Sequence, residues 1–188
     1  MDFKDKETVI LSSKRTPIGS FQGKLSGLSA PELASLVIKG IIDKLNINSE
    51  LIDEVILGNV LSAGQGQAPA RQATIKSGCP NTVGSLTINK MCGSGLKAIM
   101  LADQTIKVND AELIMAGGME SMSNAPHILT EIRSGNKLGH SKVFDSLIYD
   151  GLWDAYTNQH MGNCAEMLAN DRGYTRQQQD EYAIESYD

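Results

Sequence analysis

Asn89-Lys90-Met91-Cys92-Gly93-Ser94-Gly95-Leu96-Lys97-Ala98 is the stretch of this chain best suited to chemistry. It lies between a β-like run, Val83 to Met91, and a helix-like run, Ser94 to Val108. A cysteine at a sharp strand-to-helix turn is lifted to the tip of that turn. There it meets a helix N-terminus, whose first N–H groups have no intrahelical partner. Gly93 and Gly95 are expected to let the backbone turn and let a ligand approach closely. The logic is that of a nucleophile elbow, and the residue type suits an acyl-accepting thiolate. An isolated cysteine is more often an inert, buried small hydrophobe. Two glycines and a serine after a β-run are poor core packing, however, and good turn chemistry.

Cys92 must be positioned by the elements around it. Thr8 to Ser12 reads as a short apolar strand, followed by a glycine-rich loop to Leu28. Ser29-Ala30-Pro31-Glu32 opens a helix with a capping box and a proline in the first turn. Leu33, Leu36, Val37, Ile41 and Leu45 then recur at helical spacing. Glu54 to Val60 reads as a strand, Ala68 to Ser77 as a helix stopped by Gly78, and Ala111 to Ala116 as a further, almost wholly apolar strand. Alternating strands and helices up to Gly118 predict a layered α/β domain, its sheet mostly parallel with one antiparallel edge strand. Residues 120–160 have weak periodicity and many polar positions, which fits a functional loop region or a separate subdomain. Met161 to Asp171 and Arg176 to Asp188 read as helices, the second capped by Thr175 with Gln178 in the capping-box position.

The chain has 188 residues and a net charge of −5, without a basic block. That pattern argues against a nucleic-acid partner and against a polybasic membrane anchor. No apolar run reaches membrane-spanning length, and Met1 to Glu7 lacks a signal-like apolar stretch, so a cytoplasmic location is expected. Three cysteines, Cys79, Cys92 and Cys164, show neither metal spacing nor a disulfide framework. Cys79 reads as a loop or core residue, and Cys164 as packed beside Met167 and Leu168. His127 and His140 lie in irregular sequence and match no catalytic pattern. Ser94 and Ser121 show no Ser-His-Asp order, and Lys90 and Lys97 read as solvated. A lone histidine such as His160 is more often structural than catalytic.

Taken together, several segments resemble the thiolase family, enzymes that make or cleave 3-ketoacyl-CoA. The Asn89–Ala98 run is similar to the family's nucleophile motif. Arg15-Thr16-Pro17-Ile18-Gly19, Gly58-Asn59-Val60, Gly66 to Gln72, Ala116 to Ser123 and His160-Met161-Gly162 follow in the family's order. The resemblance implies a thiolase-like layered α/β fold, with helices on both faces of the sheet. It implies an N-terminal core domain over 1–119 and part of a loop domain over 120–188 that shapes the CoA site and makes tetramer contacts. The chain ends within a helical pattern, so the second core half is expected to be absent.

The resemblance further implies that Cys92 carries the acyl group as a thioester while its backbone N–H faces the oxyanion. Leu152, His160 and Met161 are then expected to line the CoA and acyl pocket. The His-Met-Gly form points to the acetoacetyl-CoA branch. The implied reaction is the reversible condensation of two acetyl-CoA to acetoacetyl-CoA. Coenzyme A would be substrate and product, with no resident cofactor, and the complete enzyme a homo-oligomer, a tetramer. A helix N-terminus stabilises an anion by about 0.3–1 kcal/mol. At best it reaches about 2 kcal/mol, roughly one tenfold step in ionisation at ~1.4 kcal/mol, which leaves a cysteine only partly ionised at neutral pH. A partner base is therefore needed, and the resemblance puts it, with a second cysteine, in the other half. Two alternatives stand beside this reading: a non-catalytic fragment, and another CoA-dependent condensing enzyme of the same superfamily.

Overall fold

The computed structural model describes residues 7–187. Met1 to Lys6, including most of the stretch read for a signal peptide, and Asp188 lie outside them. The centre of the fold is a three-stranded parallel sheet, with β1 (Glu54–Gly58) between β2 (Gly84–Ile88) and β3 (Ile114–Gly118). Helix α1 (Ala30–Leu45) precedes the sheet, α2 (Pro69–Lys76) links β1 to β2, and α3 (Ser94–Lys107) links β2 to β3.

Strand β1 shows how the layers are made. Val55 and Leu57 point into a core shared with Ala30, Ala34 and Ile38 of α1 and Ala70 and Ala73 of α2. Ile56 points the other way, onto Ala98 and Ala102 of α3. All three β1 residues are essentially inaccessible, as expected when helices cover both faces of a parallel strand. The order β2-β1-β3 requires the two crossovers to run in opposite directions. With connections of one hand, that puts α2 and α3 on opposite faces. The layered α/β arrangement expected from the sequence is therefore present.

Helix boundaries follow their caps. Ser29 donates from both its N–H (2.9 Å) and its hydroxyl (2.7 Å) to Glu32 Oε2, and these bonds hold the Glu32 carboxyl below its usual range. Helix α2 ends before Gly78, whose φ of +92° suits glycine. The N–H of Thr175 donates to Gln178 Oε1 (2.9 Å) and the N–H of Gln178 to Thr175 Oγ1 (3.2 Å), opening α5 (Arg176–Tyr187).

Several expectations are corrected. Thr8 to Ser12 forms no strand; Val9, Ile10 and Leu11 are exposed, and no described strand pairs with them. A strand exists only by pairing, which apolar composition does not supply. Among the described residues the sheet accordingly has no antiparallel edge strand. The last sheet strand starts at Ile114 rather than Ala111, because the Asp53 carboxylate takes up the N–H groups of Glu112 (2.7 Å) and Leu113 (3.0 Å). On α1 the buried stripe runs through Ala34, Ser35 and Ile38, while Leu36 is exposed. Small residues let α1 approach α2 closely, so they take the inner face.

Beyond β3 the chain forms two short antiparallel hairpins, β4 (His127–Ile128) with β5 (Phe144–Asp145) and β6 (Trp153–Asp154) with β7 (Gln159–His160). A π-helical turn, Leu147–Leu152, joins them. Helices α4 (Met161–Arg172) and α5 hold no buried residue. Cys164 is half-buried, but Met167 and Leu168 beside it are exposed, which corrects the packed reading.

Candidate active site

The loops leaving adjacent strands β1 and β2 run to opposite faces of the sheet. A crevice opens at such a reversal, outside the carboxyl ends of the strands. A cavity of about 390 Å³ lies there. The segments 58–61 after β1, 91–95 after β2 and 118–122 after β3 contribute to its lining, and the π-helical turn closes it with Leu147, Gly151 and Leu152. Single π-turns inside helical segments often mark functional sites.

Cys92 is exposed and lines this cavity, two residues before α3 begins. The turn that lifts it is built differently from expectation. The strained residue is Met91, at φ +48°, not either glycine; Gly93 has φ −87° and is the helix N-cap. A non-glycine residue in the left-handed region persists only where its surroundings fix it. Here Asn89 Oδ1 accepts from the Met91 N–H (2.9 Å), and the Ser94 hydroxyl donates to the Met91 carbonyl (2.6 Å) while accepting from the Lys90 N–H (2.8 Å). Ser94 is buried and fully engaged in the turn. Ser121 is likewise occupied, donating to the Leu28 carbonyl and accepting from Asn124. Neither serine is free to act as a nucleophile.

The glycines contribute close approach instead. A Cβ on Gly58 would fall 2.5 Å from Ser94 Cβ and 2.6 Å from its carbonyl carbon. One on Gly118 would fall 3.3 Å from Gly95 Cα. The start of α3 thus rests on the bare backbone ends of β1 and β3. No local pattern at Gly58 or Gly118 signals this steric role, because it depends on contacts with residues distant in the chain.

On the cavity wall, Glu120 is half-buried, and both its carboxylate oxygens accept hydrogen bonds. Oε1 accepts from Asn59 Nδ2 (2.7 Å) and the Leu61 N–H (3.1 Å), and Oε2 accepts from the Val60 N–H (2.9 Å). Burial nevertheless wins over these bonds and pushes the carboxyl above its ordinary value. Asn59 is 2% exposed, and its Oδ1 has no partner among the described residues. Neither residue was singled out from the sequence as a site residue.

Of the other expected site residues, Leu152 lines the cavity with Cys92. His160 and Met161 lie one step away. His160 pairs with Trp153 across the β6–β7 hairpin, next to Leu152, and Met161 begins α4. His160 Nδ1 accepts from the Gly162 N–H (3.0 Å), capping α4 and leaving Nε2 to carry the ring proton. Neither His160 nor Met161 is part of the cavity lining, which also contains no histidine and no second cysteine among the described residues. Cys79 is buried, with its sulfur accepting from the Ser77 hydroxyl (3.3 Å), and Cys164 lies on α4.

Comparison with known proteins follows the same lines. The chain is 54% identical over 181 residues to a probable acetyl-CoA acetyltransferase of Escherichia coli (strain K12), covering 96% of this chain and 46% of that protein. It is 51% identical to an acetyl-CoA acetyltransferase of Pseudomonas aeruginosa, with the same two coverages of 96% and 46%. It is 47% identical to acetyl-CoA acetyltransferase 2 of Arabidopsis thaliana, covering 97% of this chain and 45% of that protein. The chain therefore spans about half the length of the curated relatives it matches. The family model described as thiolase, N-terminal domain, matches residues 8–188. With an exposed cysteine at the mouth of a strand-end cavity and a match over nearly its whole length, the chain belongs to the thiolase family through that family's N-terminal domain.

Proposed function

We propose that this chain is the nucleophile-bearing part of an acetyl-CoA C-acetyltransferase. The observation that carries the reading is Cys92, exposed at the start of α3 and lining the cavity at the strand ends. The Cys92 sulfur attacks the carbonyl carbon of acetyl-CoA. A carbon–sulfur bond to Cys92 forms, the bond to CoA breaks, and CoA leaves as a thiol with the proton that Cys92 gives up. A second acetyl-CoA then loses a methyl proton to a base. Its carbanion attacks the acetyl-cysteine, a carbon–carbon bond forms, and the Cys92 thiolate departs with acetoacetyl-CoA as product. A thioester suits both steps, because thiolate is a strong nucleophile and a good leaving group.

In this reading the Cys92 backbone N–H donates to the thioester oxygen as charge develops there. Leu152 packs on the pantetheine arm, while His160 and Met161 border the acyl end. Coenzyme A is substrate and product rather than a resident cofactor. The apolar residues of the cavity suit a short acyl chain. The complete enzyme is a cytoplasmic homo-oligomer, a tetramer, in lipid metabolism, with residues 1–119 as core and 120–188 as part of the loop domain. No described helix is long and apolar enough to cross a membrane.

The base and second cysteine come from the remaining length by which the relatives exceed this chain. The cavity lining, which holds no histidine and no second cysteine among the described residues, favours a second reading for the 188-residue chain by itself: it binds CoA thioesters and acetylates slowly without turning over. The test is label exchange between free CoA and acetyl-CoA, which requires only the first half-reaction. Slow exchange with the chain, absent with Cys92→Ala, supports the proposal. Equal exchange in both contradicts it.

A further inference from the structure

We propose that Glu120 is a positioning residue for Cys92, acting through Val60, Asn89 and Met91 across the ends of all three strands. The contacts form one line. Glu120 follows β3, and its Oε2 accepts from the N–H of Val60, which follows β1 (2.9 Å). The carbonyl of the same Val60 accepts from Asn89 Nδ2 (3.4 Å), the longest link. Asn89 follows β2, and its Oδ1 accepts from the N–H of Met91 (2.9 Å). Met91 is the left-handed residue immediately before Cys92. The strained turn that presents the thiol is thus tied, through Val60 and the two peptide units that flank it, to a carboxylate beyond another strand, since the Leu61 N–H, in the same peptide unit as the Val60 carbonyl, donates to Glu120 Oε1 (3.1 Å). Met91, Cys92 and Glu120 all line the same cavity.

The chemistry of the link makes it specific to a carboxylate. Both Glu120 oxygens face donors: Asn59 and Leu61 on one, Val60 on the other. An amide at position 120 must turn its NH2 towards one of these. The Asn59 amide can rotate to meet it only by giving up its bond to the Met119 carbonyl (3.3 Å) and turning Oδ1 towards that oxygen. The Val60 and Leu61 N–H groups are fixed in the backbone and cannot. Glu120→Gln therefore conserves size and costs a backbone acceptor whichever way it sits.

The meaning of this link for catalysis rests on the reading of Cys92 as acyl acceptor, but the link itself is a property of the chain. It is tested by amide hydrogen exchange on the 188-residue protein, followed in peptides covering residues 88–94. Glu120→Gln is expected to speed exchange there about tenfold, the scale of one lost hydrogen bond, although residue 120 does not touch those residues. Asn89→Ala, at an exposed position outside the packed core, provides a second entry point should Glu120→Gln fold poorly. It should speed exchange in the same peptides and also in those covering residues 59–61. The double variant should add little to the larger single effect. Ser29→Ala, which weakens the cap of α1 outside this line of contacts, should leave exchange over residues 88–94 unchanged. Exchange there that ignores Glu120→Gln, or that rises as much in Ser29→Ala, overturns the proposal. Acetylation of Cys92 is read separately, so failure of the functional reading and failure of the link are distinguishable.

Discussion

Gly58 and Ser94 lie so close that no side chain fits between them: a Cβ at position 58 would stand 2.5 Å from the Ser94 Cβ. This contact sets the height of α3, and therefore of Cys92, above the end of β1. Gly58→Ala forces the start of α3 to move and should cost about 1–3 kcal/mol, the usual range for overpacking. Gly117→Ala is the control, since a Cβ there meets nothing within 4 Å. It should stay within about 0.5 kcal/mol of the parent. Urea titration of the two variants checks both values.

Met91 offers a test with the opposite sign. At φ +48° its backbone suits glycine better than any branched side chain. Met91→Gly should leave thermal stability unchanged or raise it. Met91→Val should lower it by about 1 kcal/mol or more. Thermal melts that rank the two in the reverse order would show that the turn is not strained at this residue.

Asp53 carries the acid sensitivity of the sheet's amino end. The N–H groups of Leu113 and Glu112 hold its carboxyl below the usual value. A carboxylate depressed in the folded state stabilises the protein above the ordinary carboxylate range. That contribution is lost as pH falls through the folded value. Because Asp53 is exposed, the effect is modest, below about 1 kcal/mol. Asp53→Asn should melt lower than the parent at neutral pH, and the two curves should converge in acid. A gap that persists unchanged at low pH would exclude this source.

Ser29→Ala should destabilise the chain by about 1 kcal/mol through loss of the α1 cap. Replacement by Thr, which keeps the hydroxyl donor to Glu32, would recover most of it. Calorimetry that finds Ser29→Ala silent would mean that α1 is fixed by packing alone.

Much of this was legible in the sequence, for local reasons. Ser29 with Glu32 and Thr175 with Gln178 mark helix starts within four residues, and Gly78 marks a stop. Alternating β-runs and helices implied a parallel sheet with both faces covered, and β1 fulfils that through Val55, Ile56 and Leu57. The misses are where distant contacts decide. Val9 to Leu11 have strand composition but no described strand to pair with. Gly58 is explained only by Ser94, and Glu120 only by Val60 and Leu61, some sixty residues away. Met91 hides its strain because a methionine gives no sequence signal for a left-handed backbone. Cys92 was readable because its glycine and serine neighbours lie beside it in the chain, although the left-handed backbone of the turn falls on Met91 rather than on either glycine.

The most direct test of the central claim is peptide mapping of the chain after incubation with acetyl-labelled acetyl-CoA. The expected result is one labelled thiol, Cys92, with no label after Cys92→Ala substitution. Label on Cys79 or Cys164 instead, or label that survives the loss of Cys92, would contradict the assignment of this residue as the acyl acceptor.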